Sequence, residues 1–298
     1  MSVLEMLPKM KGTLKENVKL ASKARFGVGG PADVLFVPED MDDLVTFLRN
    51  VPQNVPITIL GAMSNVIIRS GGIRGVVIIL GKCFKQIYEN DGVIEVGAGV
   101  TCTELSAFAM DSDLGGLEFL MGLPGTIGGA IKMNAGCYGY DMSNILIEFE
   151  TISTKTGHIK WYKSGDMSFK YRSSDIPDDV IITRAWLRSV RGVSYSIARR
   201  VNEILKKRKA SQPIGKTCGS TFKNPEGMKA WELIQNAGCR GMRCGGAVVS
   251  EKHCNFIIND QDASAEDIEN LGDQVAKKVY ESSGVELEWE VVRLGEKL

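Results

Sequence analysis

A short segment near residue 220 gathers side chains that could move a proton and bind a polar ligand. Residues 219–225 read Gly-Ser-Thr-Phe-Lys-Asn-Pro, which places two hydroxyls, an ammonium group and an amide within seven positions. Ser220 follows a glycine and lies close to a lysine, so it can serve as a proton donor if neighbouring groups support it. A polar loop would have the same composition. The chain has two histidines and no Gly-x-Ser-x-Gly elbow, so a serine hydrolase triad is not indicated.

Two glycine-containing segments could bring the main chain close to a ligand. Residues 122–139 include six glycines and one proline, and residues 61–65 read Gly-Ala-Met-Ser-Asn. Glycine is unfavourable inside helices and strands but useful where backbone approaches another group closely. Successive N–H groups in the 61–65 loop could bind a pyrophosphate. Tight turns between strands would produce the same patterns, so both interpretations stay open for each segment.

Two other nucleotide-binding patterns lack their structural context. Residues 27–32 satisfy Gly-x-Gly-x-x-Ala, but Pro31 interrupts the pattern and a predicted strand follows it, where a dinucleotide site requires a helix. Residues 215–217 resemble the end of a phosphate-binding loop, but position 210 is alanine and Pro213 intervenes. Neither pattern predicts a nucleotide site.

Composition excludes several classes of protein. The 298 residues carry no net charge, are 44% hydrophobic and 24% charged, and are numerous enough for two or three domains. We therefore expect neither a nucleic-acid nor a membrane partner. Residues 1–20 mix charges with apolar residues, so no signal peptide is expected. The seven scattered cysteines include no Cys-x-x-Cys pair, which predicts free thiols in the cytoplasm and no metal site.

Hydrophobic periodicity predicts an α+β protein with a domain boundary near residue 190. Two helices should begin with capping residues, Thr101 with Glu104 and Ser264 with Asp267. The predicted helices are 41–49, one from 101, 195–209 and one from 264. The predicted strands are 33–37, 57–60, 66–69, 76–80, 93–96, 145–153, 157–163, 181–190 and 285–292.

Two charged features have both a functional and a structural interpretation. Strand 285–292 alternates apolar residues with three glutamates, so Glu290 is either catalytic or part of a solvated face. The basic run 206–209 could attract a phosphorylated ligand. It could equally complement the C-terminus of its helix, which contributes about 0.3–1 kcal/mol per cation.

Seven motifs occur in the order found in one known family. They are 26–32 (Phe-Gly-Val-Gly-Gly-Pro-Ala), 61–65, 122–139, 171–174 (Tyr-Arg-Ser-Ser), 219–225, 250–253 (Ser-Glu-Lys-His) and 287–291 (Leu-Glu-Trp-Glu-Val). On these motifs the chain, from about residue 20 onward, resembles the UDP-N-acetylenolpyruvoylglucosamine reductase family, and its type II subgroup in particular.

The resemblance implies an α+β fold with two functional domains. Residues 1–190 would form an FAD-binding module of the vanillyl-alcohol-oxidase kind, with subdomains at about 1–83 and 84–190. Residues 191–298 would form a substrate-binding domain.

The resemblance also implies the site residues. The catalytic residues would be Ser220 as proton donor, Arg172 and Glu290. The substrate-binding residues would be Tyr171, Lys216, Asn224 and His253. The residues that contact FAD would be Gly61, Ala62, Met63, Ser64, Asn65, Gly122, Pro124, Gly125, Thr126, Gly128 and Gly129.

The implied reaction reduces the enolpyruvyl group of UDP-N-acetylglucosamine enolpyruvate to UDP-N-acetylmuramate, for peptidoglycan precursor synthesis. NADPH and the sugar nucleotide would use one site in turn, with FAD bound non-covalently in a monomeric enzyme. Two other classes remain: a non-catalytic nucleotide- or sugar-binding protein with the same fold, and a flavin oxidase of the same superfamily.

The chain departs from the family pattern at two places. The usual loop is Gly-Gly-Gly-Ser-Asn, and Ala62 and Met63 replace two of its glycines, which restricts positive φ and could alter the pyrophosphate contact. The usual proline before the catalytic glutamate is Trp289 here. Alternation still predicts that Glu290 lies on the polar face.

Overall fold

The computed structural model describes residues 2–298. Within that range the α-helices are, in chain order, α1 (Met41–Asn50), α2 (Cys102–Asp111), α3 (Ile127–Lys132), α4 (Met142–Ile145), α5 (Ser194–Ser211), α6 (Ala230–Asn236) and α7 (Ala265–Ser283). The strands from the first half of the chain are β1 (Thr13–Lys19), β2 (Pro31–Val37), β3 (Ile57–Ile59), β4 (Val66–Ile68), β5 (Ile73–Ile78), β6 (Ile87–Asn90), β7 (Val93–Gly97), β8 (Leu114–Gly115), β9 (Gly136–Cys137) and β10 (Tyr140–Asp141). The later strands are β11 (Leu146–Ser153), β12 (Ile159–Lys163), β13 (Phe169–Lys170), β14 (Ser173–Ser174), β15 (Val180–Arg188), β16 (Val190–Arg191), β17 (Arg243–Cys244), β18 (Ala247–Val249), β19 (Ile257–Asn259) and β20 (Val292–Leu294).

The four predicted helices are confirmed as α1, α2, α5 and α7. Both predicted capping boxes are present, since Thr101 and Ser264 each accept a hydrogen bond from the third residue of the helix that follows. Helix α3 was not predicted, because it lies inside the glycine tract. The side chain of Thr126 caps it by accepting from the N–H of Gly129.

The predicted strand 285–292 is wrong. Of its residues Val292 alone belongs to a strand, β20, while Trp289 forms a single bridge with Phe222. The alternation of burial follows the prediction as far as residue 288, since Leu287 is buried and Glu288 is exposed. It fails at the next pair, because Trp289 and Glu290 are both half-buried. The segment is extended but does not form a continuous ladder, because its hydrogen bonds go to separate segments of the chain.

The described chain divides into two compact units. The first contains the residues up to Glu16, Val34–Ala62 and Gly75–Arg208, and the second contains Asn17–Asp33, Met63–Arg74 and Lys209–Leu298. The division falls within β1, β2 and β5, strands of one four-stranded sheet with the order β1-β2-β5-β3. The predicted division into an FAD-binding module and a substrate-binding domain concerns function and stays a prediction.

The first unit contains two apolar clusters. Around the larger one is a five-stranded sheet of order β12-β11-β15-β7-β6, whose neighbouring strands are antiparallel. Its apolar side chains, such as Phe149 and Val96, pack in one cluster with Leu105 of α2 and Ile127 of α3. The second cluster joins α1 to the strands β2 and β5. These cores position the glycine tract, which follows α2 and includes α3.

The second unit has one apolar cluster of its own. Apolar residues of α6 and α7 pack with those of β18 and β19, and the sheet here has the order β17-β18-β19. Strand β20 runs parallel to β4, with Val292 opposite Val66. This pairing positions the segment that contains Glu290.

Over the described residues, no helix has the length and hydropathy that a membrane span requires.

Candidate active site

Ser220 lies in a segment that two other parts of the second unit bind through backbone hydrogen bonds. Ser220 itself bridges Phe256, and the N–H of Thr221 donates to the carbonyl of Asn255 at 2.7 Å. On the other side, the carbonyl of Thr221 accepts from the N–H of Glu290 at 2.8 Å. The structure therefore brings Ser220 and Glu290, two of the predicted catalytic residues, onto adjacent hydrogen-bonded segments.

Glu290 is also fixed by Asn65, a predicted FAD-binding residue. The side-chain Nδ2 of Asn65 donates to the carbonyl of Glu290 at 2.9 Å, and the carbonyl of Asn65 accepts from the N–H of Val292 at 3.0 Å. Asn65 therefore contacts the backbone on both sides of Val291. This contact could not be predicted from the sequence, since no local pattern connects residues so far apart in the chain.

The lysine of the serine segment is paired within the protein. Lys223 Nζ lies 2.6 Å from Glu288 Oε1, and the Lys223 N–H donates to the Glu288 carbonyl at 2.8 Å. Lys223 therefore supports the contact between the serine segment and the segment of Glu290. Beside it, the hydroxyl of Thr221 is buried and has no hydrogen-bond partner among residues 2–298.

Arg172 lies in the first unit, at the turn between β13 and β14. Its φ is +54°, in the left-handed region, and its Nη2 donates to the carbonyl of Gly136 at 2.5 Å. Its guanidinium carbon lies 5.1 Å from the ring centroid of Tyr171, which is half exposed. Arg172, the predicted catalytic arginine, is therefore hydrogen-bonded to the C-terminal end of the glycine tract.

A second arginine contacts the same tract. Arg208, from the last turn of α5, donates to the carbonyl of Gly122. Burial raises the pKa of the Cys137 thiol to about 11, although the positive charges of Arg172 and Arg208 oppose that rise. One cation of the basic run 206–209, the half-buried Arg208, therefore contacts the glycine tract within the first unit.

Two of the segments predicted to bind FAD are in contact within the first unit. A Cβ added to Gly61 would lie 2.4 Å from Oγ1 of Thr126, so glycine is what permits this approach. A Cβ on Gly128 would lie 3.0 Å from that of Ala98. Gly61 and Gly129 are exposed beside this contact. Exposed main chain at a junction of two glycine segments fits a large cofactor that is bound largely through backbone contacts.

The glycines of the tract differ in backbone conformation and in their contacts. Gly125 has a φ of +140°, which favours glycine, and its carbonyl accepts from the N–H of Cys102. The N–H of Gly128 donates to the carbonyl of Ala98 at 3.0 Å, so this group is already used within the protein. Gly122 packs against Cys137, and Pro124 lies two residues further along the chain.

The boundary between the units passes through the 61–65 loop, between Ala62 and Met63. Ala62 is exposed, whereas Met63 is buried and has a φ of +49°. The prediction was that loss of glycine restricts positive φ at this position, yet Met63 adopts it. Ser64 is half-buried in the same loop.

The predicted substrate-binding residues of the second unit have structural contacts as well. Asn224 is exposed, and its Oδ1 accepts from the N–H of Ala230 at the start of α6. Lys216 is exposed, packs against Gly27, and lies 3.9 Å from Oδ1 of Asp262. These positions leave both side chains accessible on the surface of the second unit.

His253 is half-buried beside the Phe256 ring, with 4.6 Å between centroids. Its Nδ1 accepts from the N–H of Asn255 at 3.3 Å. Burial lowers the pKa of His253 below its ordinary value of 6.5, so the imidazole is neutral at neutral pH. A neutral ring that accepts at Nδ1 carries its proton on Nε2, and it can donate a hydrogen bond from there.

Family models match two parts of this chain, one nearer the N-terminus and one in the C-terminal third. Residues 32–163 match the FAD-binding domain family, and residues 210–294 match the family model described as UDP-N-acetylenolpyruvoylglucosamine reductase, C-terminal domain. The first match includes the Gly61 and Thr126 segments, and the second includes Ser220 and Glu290. The predicted cofactor, FAD, is therefore confirmed, as is the predicted α+β fold of an FAD-binding module and a C-terminal domain.

Full-length relatives agree with the domain matches. The UDP-N-acetylenolpyruvoylglucosamine reductase of Gluconobacter oxydans is 48% identical over 289 residues, covering 97% of this chain and 94% of the relative. The Rickettsia akari enzyme of the same name is 47% identical over 290 residues, covering 97% and 98%. A crystal structure of the Thermus caldophilus reductase superposes with a TM-score of 0.84 at 34% identity, covering 96% of this chain and 100% of that one. The chain is therefore an oxidoreductase with FAD as cofactor, and it belongs to the UDP-N-acetylenolpyruvoylglucosamine reductase family.

Proposed function

We propose that this enzyme uses NADPH to reduce the enolpyruvyl group of UDP-N-acetylglucosamine enolpyruvate, giving UDP-N-acetylmuramate for peptidoglycan synthesis. Residues 1–190 bind FAD non-covalently, and residues 191–298 bind the sugar nucleotide. The domain matches at 32–163 and 210–294 support this division. Free thiols at the cysteines of the described chain support a reducing compartment, and we propose the cytoplasm. The proposed enzyme is a monomer, which light scattering would test.

One observation carries the catalytic part of the proposal. The Thr221 carbonyl accepts from the N–H of Glu290 at 2.8 Å, so the residue after Ser220 is bonded directly to the predicted catalytic glutamate. A hydroxyl and a carboxylate supplied by separate segments are thus fixed relative to each other by main chain. Rigid placement of this kind is what proton transfer to a specific carbon requires.

Each catalytic residue has a distinct proposed role. FAD, when bound, supplies the two-electron chemistry that connects NADPH to the enolpyruvyl group. Ser220 donates a proton to the carbon beside the substrate carboxylate. Arg172 stabilises the negative charge that develops on that carboxylate, a contribution of about 3–4 kcal/mol for a well-placed donor. Glu290 orients the reacting groups. Serine is a weak acid, so its donation depends on the groups that position it.

The remaining predicted residues bind the ligands. Gly61, Ala62, Met63, Ser64 and Asn65, together with Gly122, Pro124, Gly125, Thr126, Gly128 and Gly129, contact FAD in this proposal. Tyr171, Asn224 and His253 contact the sugar nucleotide, and Lys216 is placed near its phosphates. The exposed positions of Tyr171, Lys216 and Asn224 support this part of the proposal.

An anaerobic spectrum tests the proposed reaction. The purified protein should be yellow, NADPH should bleach it under nitrogen, and the enolpyruvyl sugar nucleotide should restore the colour. A colourless protein, or a flavin that NADPH does not bleach, would instead indicate a non-catalytic binding protein. Rapid reoxidation by air with consumption of an alcohol would indicate an oxidase.

The variant Ser220→Ala tests the proton donor. Flavin reduction by NADPH should remain fast, because that step needs no proton from Ser220. Reoxidation by the enolpyruvyl substrate should slow by roughly 10²–10⁴-fold, the usual contribution of general acid catalysis. Stopped-flow absorbance measures the two half-reactions separately. Ser220→Cys, which retains an ionisable proton at the same position, is the matched control and should recover part of the rate. Fast reoxidation in Ser220→Ala would exclude Ser220 as the donor.

A further inference from the structure

A buried amide side chain lies directly behind the Ser220 segment. Asn255 is 3% exposed, and its Oδ1 accepts from the backbone N–H of Phe222 at 3.0 Å. Its Nδ2 donates to the backbone carbonyl of the same residue at 2.8 Å. The side chain therefore pairs with Phe222 as a neighbouring strand would, satisfying both of its backbone groups.

The main chain of Asn255 binds the preceding residue as well. Its carbonyl accepts from the N–H of Thr221 at 2.7 Å, the shortest of these three contacts. One residue thus makes three hydrogen bonds to Thr221 and Phe222, the two residues that follow Ser220. All of the partners are buried, so water cannot replace a lost bond easily.

The same contacts extend to Glu290. The carbonyl of Thr221 accepts from the Glu290 N–H, and Phe222 bridges Trp289. A shift of the Thr221–Phe222 peptides would therefore move both the Ser220 and the Glu290 segments.

We propose that Asn255 is a positioning residue that sets the placement of Ser220 and Glu290 for proton delivery. This inference rests on the proposed role of Ser220 as proton donor. Asn255 acts through the backbone and does not touch the substrate. Loss of its side-chain contacts lets the Ser220 segment shift, and a misplacement of about 1 Å can cost on the order of 10²-fold in rate.

The test uses Asn255→Asp and Asn255→Ser in the FAD-loaded enzyme. Asn255→Asp keeps the shape and the acceptor but replaces the donor with an oxygen that faces the Phe222 carbonyl. Asn255→Ser is too short to reach both groups. In each variant, flavin reduction by NADPH should be unchanged, while reoxidation by the enolpyruvyl substrate should slow on the order of 10²-fold.

Asn259 provides a matched control in the same unit. It is also a buried asparagine whose side chain makes two hydrogen bonds. Its Nδ2 donates to the carbonyl of Phe26 at 2.9 Å, and its Oδ1 accepts from the N–H of Ala263 at 2.8 Å. Asn259→Asp and Asn259→Ser should lower the melting temperature about as much as the Asn255 variants do. They should not change the ratio of the rates of flavin reduction and flavin reoxidation. If Asn259 variants slow reoxidation equally, or Asn255 variants slow both half-reactions alike, the role is structural and the inference fails.

Hydrogen exchange gives a readout independent of turnover. In the unmodified enzyme, the amides of Thr221, Phe222 and Glu290 should be protected, and in Asn255→Ser that protection should be lost locally. Unprotected amides in the unmodified enzyme would overturn the inference even if no variant folds. Ser220→Ala measured in parallel separates the two proposals. If it slows reoxidation while the Asn255 variants do not, the positioning role alone fails; if Ser220→Ala is itself fast, the donor assignment fails.

Discussion

Met63 combines a long, buried side chain with a backbone conformation that such residues seldom adopt. Its φ is +49°, and its side chain is 5% exposed. The left-handed conformation costs about 1–2 kcal/mol for a residue with a Cβ. Burial of a methionine contributes about 1.5–3 kcal/mol. The two quantities are of similar size, so burial of the side chain offsets much of the cost of the left-handed backbone at Met63.

His253 should make the protein less stable in mild acid. Because burial lowers its folded pKa, the unfolded chain binds its proton more readily. The neutral ring therefore stabilises the fold when the pH is above 6.5, the ordinary pKa of histidine, and this stabilisation is lost as the pH falls below that value. Denaturant unfolding at a series of pH values should show this loss. His253→Gln should flatten that part of the profile. Identical profiles for the unmodified protein and this variant would contradict the argument.

Helix α7 positions Trp289, the residue that replaces the usual proline before Glu290. The indole lies over Gly272 of α7, where an added Cβ would be 2.2 Å from the ring carbon Cη2. Its Nε1 donates to Asp273 of the same helix at 3.1 Å. Glycine in the middle of a helix lowers stability by about 1 kcal/mol relative to alanine. At position 272 this loss accompanies the close contact with the Trp289 ring, which a Cβ would prevent.

The effect of Gly272→Ala should therefore change sign with residue 289. In the native background the clash with Trp289 should destabilise the protein by about 1–3 kcal/mol. With Trp289→Ala, the space is open and Gly272→Ala should stabilise by about 1 kcal/mol through helix propensity. Chemical denaturation of the four proteins in this double-mutant cycle gives both values. Destabilisation of similar size in both backgrounds would mean that Trp289 is not the obstacle.

The junction between residue 61 and α3 should be sensitive to a single methyl group. Gly61→Ala would place Cβ 2.4 Å from Thr126 Oγ1, and the displacement should destabilise by about 1–3 kcal/mol and weaken FAD binding. Gly165→Ala is the control, because its Cβ would meet nothing within 4 Å and its φ is not positive. Fluorescence titration of the apoprotein with FAD measures the affinity. Equal affinities for the two variants would show that this junction does not contribute to the FAD site.

At the scale of the whole molecule, one substrate site should serve two ligands in turn. The two nucleotide-binding patterns at 27–32 and 215–217 were rejected from sequence context. In the structure Pro31 indeed begins the strand β2, where a dinucleotide site would require a helix. We therefore expect initial rates at several NADPH concentrations to give parallel double-reciprocal lines against the sugar nucleotide. Intersecting lines would require both ligands to bind at once.

The sequence by itself determined the features whose causes lie within a few residues. The capping boxes of Thr101 with Glu104 and of Ser264 with Asp267 were predicted because a cap and its partner are three positions apart. Helices α1, α5 and α7 were predicted because an amphipathic stripe repeats every turn. The family resemblance, through seven ordered motifs, indicated the FAD cofactor and the α+β fold.

The tertiary structure alone decided which distant segments meet. The alternation of residues 285–292 correctly predicted burial as far as Glu288, but Trp289 and Glu290 are both half-buried, and the strand itself was wrong. The N–H of Glu290 donates to Thr221 and that of Val292 to Asn65, so the segment has a different partner at each end. Asn255 has no local signature, because its side-chain partners belong to Phe222. Hydrogen bonds between residues far apart in the chain depend on packing of the whole unit, and a local pattern contains no information about that packing.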